Sequence, residues 1–199
     1  MNIKKIVKQL IYPFNCFRHG ISNHEGYIYI GKACKFVRPK RMQFAKGVCI
    51  MPYTMLVALK DTANISIGER SEIGMFSRIG CIGSVEIGNH VLTGPHVFIA
   101  DYNHEYRDIS KPIMYQGNTT RIRDEKISNK VVIGDDTWLG TNVVVVGTVT
   151  IGKHCVIGAN SVVTQDIPDY CVAAGIPCKI IKKYNFGTGI WEKYNNDNH

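Results

Sequence analysis

The sequence predicts an all-β solenoid, one domain of short strands wound into three-sided coils, with a short helix in front and a loop extruded from the middle. Three observations predict it. Aliphatic residues recur every six positions, at Ile133, Leu139, Val145, Ile151, Ile157 and Val163. A second column of small or apolar side chains stands two residues before each beat: Val131, Thr137, Val143, Val149, Cys155 and Ser161. Glycine follows four of the six beats, at Gly134, Gly140, Gly152 and Gly158.

A period of six matches neither an amphipathic helix, near 3.6, nor plain strand alternation, near 2. A strand puts residues i and i+2 on one face. An inward pair every six residues therefore means a two-residue flat and then a corner. Three such flats close a coil of about eighteen residues. Each coil buries its pairs on the coils above and below, so the core is a column of Ile, Leu and Val. Glycine after the beat suits a corner where φ is positive or backbones approach closely. An ordinary sheet with chance spacing would not give six consecutive hits with a matching second column.

The elements follow in chain order. Ile3, Ile6, Val7, Leu10 and Ile11 fall at helical spacing, which predicts a short amphipathic helix within an N-terminal segment, residues 1–27. Phe44, Ile50 and Leu56 are a faint first copy of the beat. Ile67, Ile73 and Ile79 keep it with Ser71 and Ser77 behind, and it slips by two residues at "CIGSVE". It resumes at Ile87, Thr93 and Ile99, with Val91 and Val97 in the second column. Residues 101–130 are polar and without period, and a segment of that length inside a repeat array reads as a functional loop. The repeat domain is expected over residues 28–183 and a C-terminal tail over 184–199.

Composition narrows the function classes. The 199 residues are 45% hydrophobic, and no apolar run approaches the roughly twenty residues of a membrane span. The start "MNIKKIVKQLIYPF" has lysines but no signal-peptide cleavage pattern, and the expected location is the cytoplasm. Seven scattered cysteines with no CxxC pair point to a reducing compartment, with neither a disulfide framework nor a zinc site. The net charge of +8 is concentrated in residues 1–46, where Lys4, Lys5, Lys8, Arg18, Lys32, Lys35, Arg38, Lys40, Arg41 and Lys46 face Glu25 alone. Such an end suits an anionic membrane or an acidic glycan, or is a solvated face. No module with base-stacking aromatics is visible, so nucleic acid is not an expected partner.

The stretch "WLGTNVVVVGTVTIGKHCVIGANSVVTQDIPDYCVAAGIPCKIIKK" resembles the C-terminal half of the hexapeptide-repeat acetyltransferases. It is most similar to the galactoside, maltose and nodulation-factor O-acetyltransferase branch and its polysaccharide-modifying relatives. "IGNHVLTGPHVFIADYNHEY" resembles the segment that carries that family's catalytic histidine. The similarity covers roughly residues 65–183. It implies a left-handed parallel β-helix, a homotrimer, and acetyl-CoA bound in a groove between neighbouring subunits, with no metal.

Acetyl transfer from a thioester to a hydroxyl needs a base for the alcohol, donors for the oxyanion and a dock for the nucleotide. Histidine titrates near the working pH and is the natural base. The resemblance assigns that role to His104, with Asp101 or Glu105, or a backbone carbonyl, to orient it. Asp101, Asn103 and Glu105 are the acceptor-side candidates. The resemblance further implies oxyanion donors at Gly140–Thr141, Trp138 beside the acyl or pantetheine end, and Gly158, Ala159 and Thr164 along the pantetheine. Lys179 and Lys182 would meet the nucleotide phosphates, where the family commonly carries arginine. Galactoside-specific polar positions fall here near Gly74 and Ile82, so the expected acceptor is a glycan or lipid-linked sugar without galactose being named. His90 and His96, one period apart, read as exposed corner residues, and His19 and His24 precede the regular coils. Two other functions fit the same sequence: N-acetylation of an amino sugar or drug-like acceptor, and a catalytically silent scaffold.

Overall fold

The computed structural model describes residues 16–119 and 129–194. The helix expected over Ile3–Ile11 and the last five residues lie outside the described residues. Within them the chain winds into three parallel sheets of nine, six and five strands, with a separate two-stranded pair. Each coil visits the sheets in turn: Lys130–Ile133 in the five-stranded sheet, Trp138–Leu139 in the nine-stranded one, Val144–Val146 in the six-stranded one. The architecture is a three-sided β-solenoid.

Both columns read from the sequence point inward. Leu139, Val145, Ile151, Ile157 and Val163 have no exposed surface, and Val131, Val143, Val149 and Cys155 join them in one continuous core. The polar members of the second column are stapled to neighbouring coils. Thr137 Oγ1 donates to the Gly152 carbonyl at 2.8 Å and accepts from the Cys155 amide at 3.1 Å. Ser71 Oγ does the same between the Gly88 carbonyl and the Val91 amide. A hydroxyl in this column costs little because both of its roles are satisfied.

The glycines after the beats take the second of the two expected roles. A Cβ on Gly134 would lie 2.5 Å from the Lys153 amide nitrogen, and one on Gly140 would lie 2.7 Å from that of Ala159. They permit close stacking. The positive φ falls two residues further on, at non-glycine corners: Arg70, Phe76, His90, His96, Asp136, Asn142, His154 and Asn160, all near 55–60°. Asn and Asp visit this region readily. Stacking compensates several of the others. Tyr53, Phe76 and His96 form a pile with centroids 4.9 and 5.1 Å apart. His90 Nδ1 and His154 Nδ1 bracket the Asp136 carboxylate at 3.4 and 3.3 Å.

Coil length departs from the expected eighteen residues except near the end. Trp138 pairs with Val156 and Val144 with Val162, but Leu92 pairs with Glu72 and Phe98 with Arg78. The two extra residues of those longer coils are the "CIGSVE" slip, where Ile82 and Gly83 leave the regular ladder.

At the C-terminal end Cys171–Ala174 closes the parallel stack. Lys179–Asn185 then returns antiparallel to it, and Ile190–Lys193 pairs antiparallel in turn. The segment expected as a tail from residue 184 thus includes half of a hairpin fused to the nine-stranded sheet.

Candidate active site

The non-repeating loop leaves the solenoid where the six-stranded sheet gives way to the five-stranded one, after Phe98–Ala100. Its root is fixed by Asp101, which is 1% exposed. The carboxylate accepts from the Ile82 amide at 2.9 Å and the Gly83 amide at 2.8 Å, the two donors freed by the slip in the preceding coil. Slip and acid are therefore one device. Burial pushes the Asp101 carboxyl above its ordinary range, and the backbone amides offset part of that. Each oxygen holds a backbone amide of the neighbouring coil, so Asp101 anchors the root of the loop. Tyr102 follows and lays its ring over Gly80, with the hydroxyl 3.3 Å from where a Cβ would stand.

Two residues later the loop forms a short antiparallel pair, Asn103–His104 with Asn118–Thr119. His104 is exposed on it, and its backbone amide donates to Asn103 Oδ1 at 2.9 Å. Asn103 therefore shapes the histidine's backbone. Glu105 Oε1 accepts from the Tyr106 and Arg107 amides at 2.9 and 3.0 Å, turning the chain into the outer loop. Asp108 and Gln116 close that loop, Gln116 donating to the carbonyls of Asp108 and Lys111 at 2.8 Å. The tip shows Tyr106, Ile109, Ile113, Met114 and Tyr115 to solvent.

The residues expected to hold the nucleotide lie elsewhere on the solenoid. Trp138 projects half exposed from the nine-stranded sheet, beside Leu92 in register. Gly140 and Thr141 form the corner toward the six-stranded sheet, and Gly158 and Ala159 form the same corner one coil later. The Gly140 amide is used, donating to the Ile157 carbonyl at 2.8 Å, as is that of Gly158, donating to Ala173. The next amides in the chain, those of Thr141 and Ala159, have no backbone acceptor among the described residues. The glycines before them are required by coil stacking. Gly158 is held small by Ala174, whose Cβ lies 2.9 Å from where its own would stand. Sequence reasoning missed the amide ladder at this corner, where Asn142 Nδ2 donates to Asn160 Oδ1 at 3.1 Å. Its signal is the residue three after each beat.

Thr164 follows Val162–Val163 on the last strand of the six-stranded sheet, and Lys179 and Lys182 lie exposed on the returning strand above. A single chain does not bring these groups to His104. The imidazole leaves one edge of the six-stranded sheet and Thr141 sits at the other, separated by a strand of about 10 Å. Among the described residues no His, Cys, Asp or Glu group is placed to hold a metal ion. All seven cysteines are free. Burial raises the Cys155 thiol to about 11 and the Cys81 thiol to about 12, which makes them inert core residues.

The solenoid repeats are shared with known proteins. Residues 130–165 match the family described as bacterial transferase hexapeptide (six repeats). A protein of Escherichia coli K12 assigned to lipopolysaccharide biosynthesis as an O-acetyl transferase, WbbJ, is 42% identical over 129 residues, 65% of each chain. The galactoside O-acetyltransferase of the same organism is 37% identical over 123 residues, 62% of this chain and 56% of that one. The chain thus spans less than two thirds of the length of these relatives. A hexapeptide-repeat acetyltransferase of Vibrio cholerae, solved with acetyl coenzyme A, superposes with TM-score 0.55 at 25% identity, covering 86% of this chain and 76% of that one. An N-acyltransferase of Bacillus cereus, AntD, solved with dTDP and coenzyme A, shares the fold with TM-score 0.71 at 16% identity over 88% and 90% of the two chains. Over residues 130–165, and more loosely along 65% of its length, the chain is similar to the hexapeptide-repeat transferases.

Proposed function

We propose that the chain is an acetyl-CoA-dependent O-acetyltransferase that modifies a sugar hydroxyl of a glycan or glycan precursor. The observation that carries this reading is the exposed His104, presented on a hairpin whose root is locked by Asp101. An anchored, solvent-facing imidazole on an otherwise inert loop is what a general base for an alcohol requires. The O-acetyl transferases among the relatives support hydroxyl over amine as acceptor.

His104 takes the proton from the acceptor hydroxyl as its oxygen attacks the thioester carbonyl. The Thr141 amide donates to the oxyanion that develops, an interaction worth most where water is excluded. On collapse of the tetrahedral intermediate CoA leaves as a thiol, its sulfur taking the proton from His104. Acetyl-CoA supplies the acyl group, and no acyl-enzyme forms. Trp138 flanks the acyl end, the Ala159 amide holds the arm, and Lys179 and Lys182 hold phosphate.

The two halves of the site lie on opposite edges of the six-stranded sheet. The resemblance to the hexapeptide-repeat acetyltransferases supports a homotrimer as the working unit, with His104 and the CoA wall supplied by different subunits. Residues 28–183 form the catalytic domain, and Lys40 and Arg41 in the basic front segment attract an anionic membrane or acidic glycan at the cytoplasmic face. The test is mass spectrometry of candidate sugars and lipid-linked glycans after incubation with the protein and acetyl-CoA. A mass gain of one acetyl group that mild base removes supports O-acetylation. A base-stable gain on an amino sugar means N-acetylation, and no CoA binding at all means a scaffold.

A further inference from the structure

The strand register of the nine-stranded sheet aligns one outward residue from each successive strand. Leu92 pairs with Trp138, Trp138 with Val156, Val156 with Val172, Val172 with Lys182 and Lys182 with Lys193. Cys171 and Ala173 on either side of Val172 are buried, so this row faces outward throughout. It begins at an exposed indole, crosses two partly exposed valines and ends on two exposed lysines.

The lysine pair is unusual for a sheet. Like charges directly opposite on antiparallel strands repel. Neither ammonium has a carboxylate within ion-pair distance among the described residues, and the hairpin residue in register with each is the other lysine. Lys183, next in the chain, is instead in register with Glu192, whose carboxylate accepts from Asn185 and Thr188. A dianion between Lys182 and Lys193 would turn the repulsion into attraction.

The spacing selects the anion. Strands lie about 4.8 Å apart, which puts Lys182 about 14 Å and Lys193 about 19 Å along the row from Trp138. The pantetheine arm of CoA has thirteen bonds from sulfur to the first phosphorus, and an extended chain of that length spans about 15 Å. With the thioester level with Trp138, the arm lies on Val156 and Val172 and the diphosphate falls between the two lysines. We infer that Lys193, on the C-terminal hairpin, forms with Lys182 the seat for the CoA diphosphate. This rests on the reading that the protein binds CoA.

Calorimetric titration of the full chain with CoA, 3′-dephospho-CoA and pantetheine tests it, using wild type, Lys193→Gln and, as control, Lys183→Gln. Thermal melts first confirm that each variant keeps its hairpin. Lys193→Gln is expected to weaken CoA and 3′-dephospho-CoA alike, by about tenfold, and to leave pantetheine unchanged. Lys183→Gln is expected to change none of the three. Unaltered CoA affinity in Lys193→Gln, or an equal loss for pantetheine, overturns the assignment. A wild type that binds no CoA defeats the proposed function itself, a result distinct from either.

Discussion

His104 and Asp101 divide the work of the loop between chemistry and position. Replacing His104 by Ala is expected to lower acetyl transfer by roughly 10²–10⁴ while leaving CoA affinity nearly unchanged. Single-turnover kinetics beside a binding titration checks both halves, and a fully active variant would remove the base. Asp101 titrates with the fold instead. Its carboxyl is raised by burial, so the protonated form is favoured in the folded state. That stabilisation is complete below the unfolded value near 3.8 and is lost as pH rises through the raised folded value. Asp101→Asn does not titrate there. The melting temperature of the variant relative to wild type should therefore move upward between pH 3.5 and 7, and a constant gap would contradict the sign. His104 could be proposed as the base from local sequence because its context is a motif. The anchor was not, because the donors at Ile82 and Gly83 lie 19 and 18 residues away in sequence and meet the acid only through coil stacking.

At the level of the coil, every beat read from Phe44 to Val163 is buried, since burial of an i, i+2 pair is what a strand of this length can encode, while Val48, Ile65 and Val85, which no reading of the beat named, join the core. Corner chemistry was less legible. Glycine after the beat suggested either positive φ or close backbone approach, and at those corners the structure takes the second, with Asn, Asp, His, Arg and aromatic residues two positions on in the left-handed region. Stacking between coils decides this, and a single coil's sequence does not display it. The consequence is measurable. Gly134→Ala pushes a methyl onto the Lys153 backbone, and overpacking of this kind costs about 1–3 kcal/mol in denaturant unfolding. Leu139→Ala, emptying a beat, should cost about 2–5 kcal/mol. Comparable stability of either variant with wild type would mean the stack relaxes more easily than its contacts indicate.

For the whole molecule, the proposed division of the site between His104 and a CoA wall would make assembly part of activity. Sedimentation at assay concentration is expected to show a trimer, and an active monomer would refute the shared site. The basic front segment needs a narrower test than its charge alone suggests. Arg38 is occupied, donating to Asp61 at 2.8 Å and to the Ala58 carbonyl at 3.1 Å, so reversing it would disturb the coil. Lys40→Glu with Arg41→Glu is the cleaner pair. Those changes should raise KM for a polymeric or lipid-linked acceptor and leave a short neutral sugar nearly unaffected, and equal losses on both would make the segment purely structural. The returning strand at the C-terminal end bears on solubility as well. A stack of parallel rungs that simply stopped at Cys171–Ala174 would offer its last rung as a template to the first rung of another molecule. Growth of that kind is open-ended, and its product is a filament. By reversing direction and finishing on Ile190–Lys193, a strand that carries Glu192 and Lys193, the chain presents newcomers with a charged edge of the wrong polarity. On the nine-stranded face, the hairpin turns an indefinitely extendable edge into one that a further rung cannot continue.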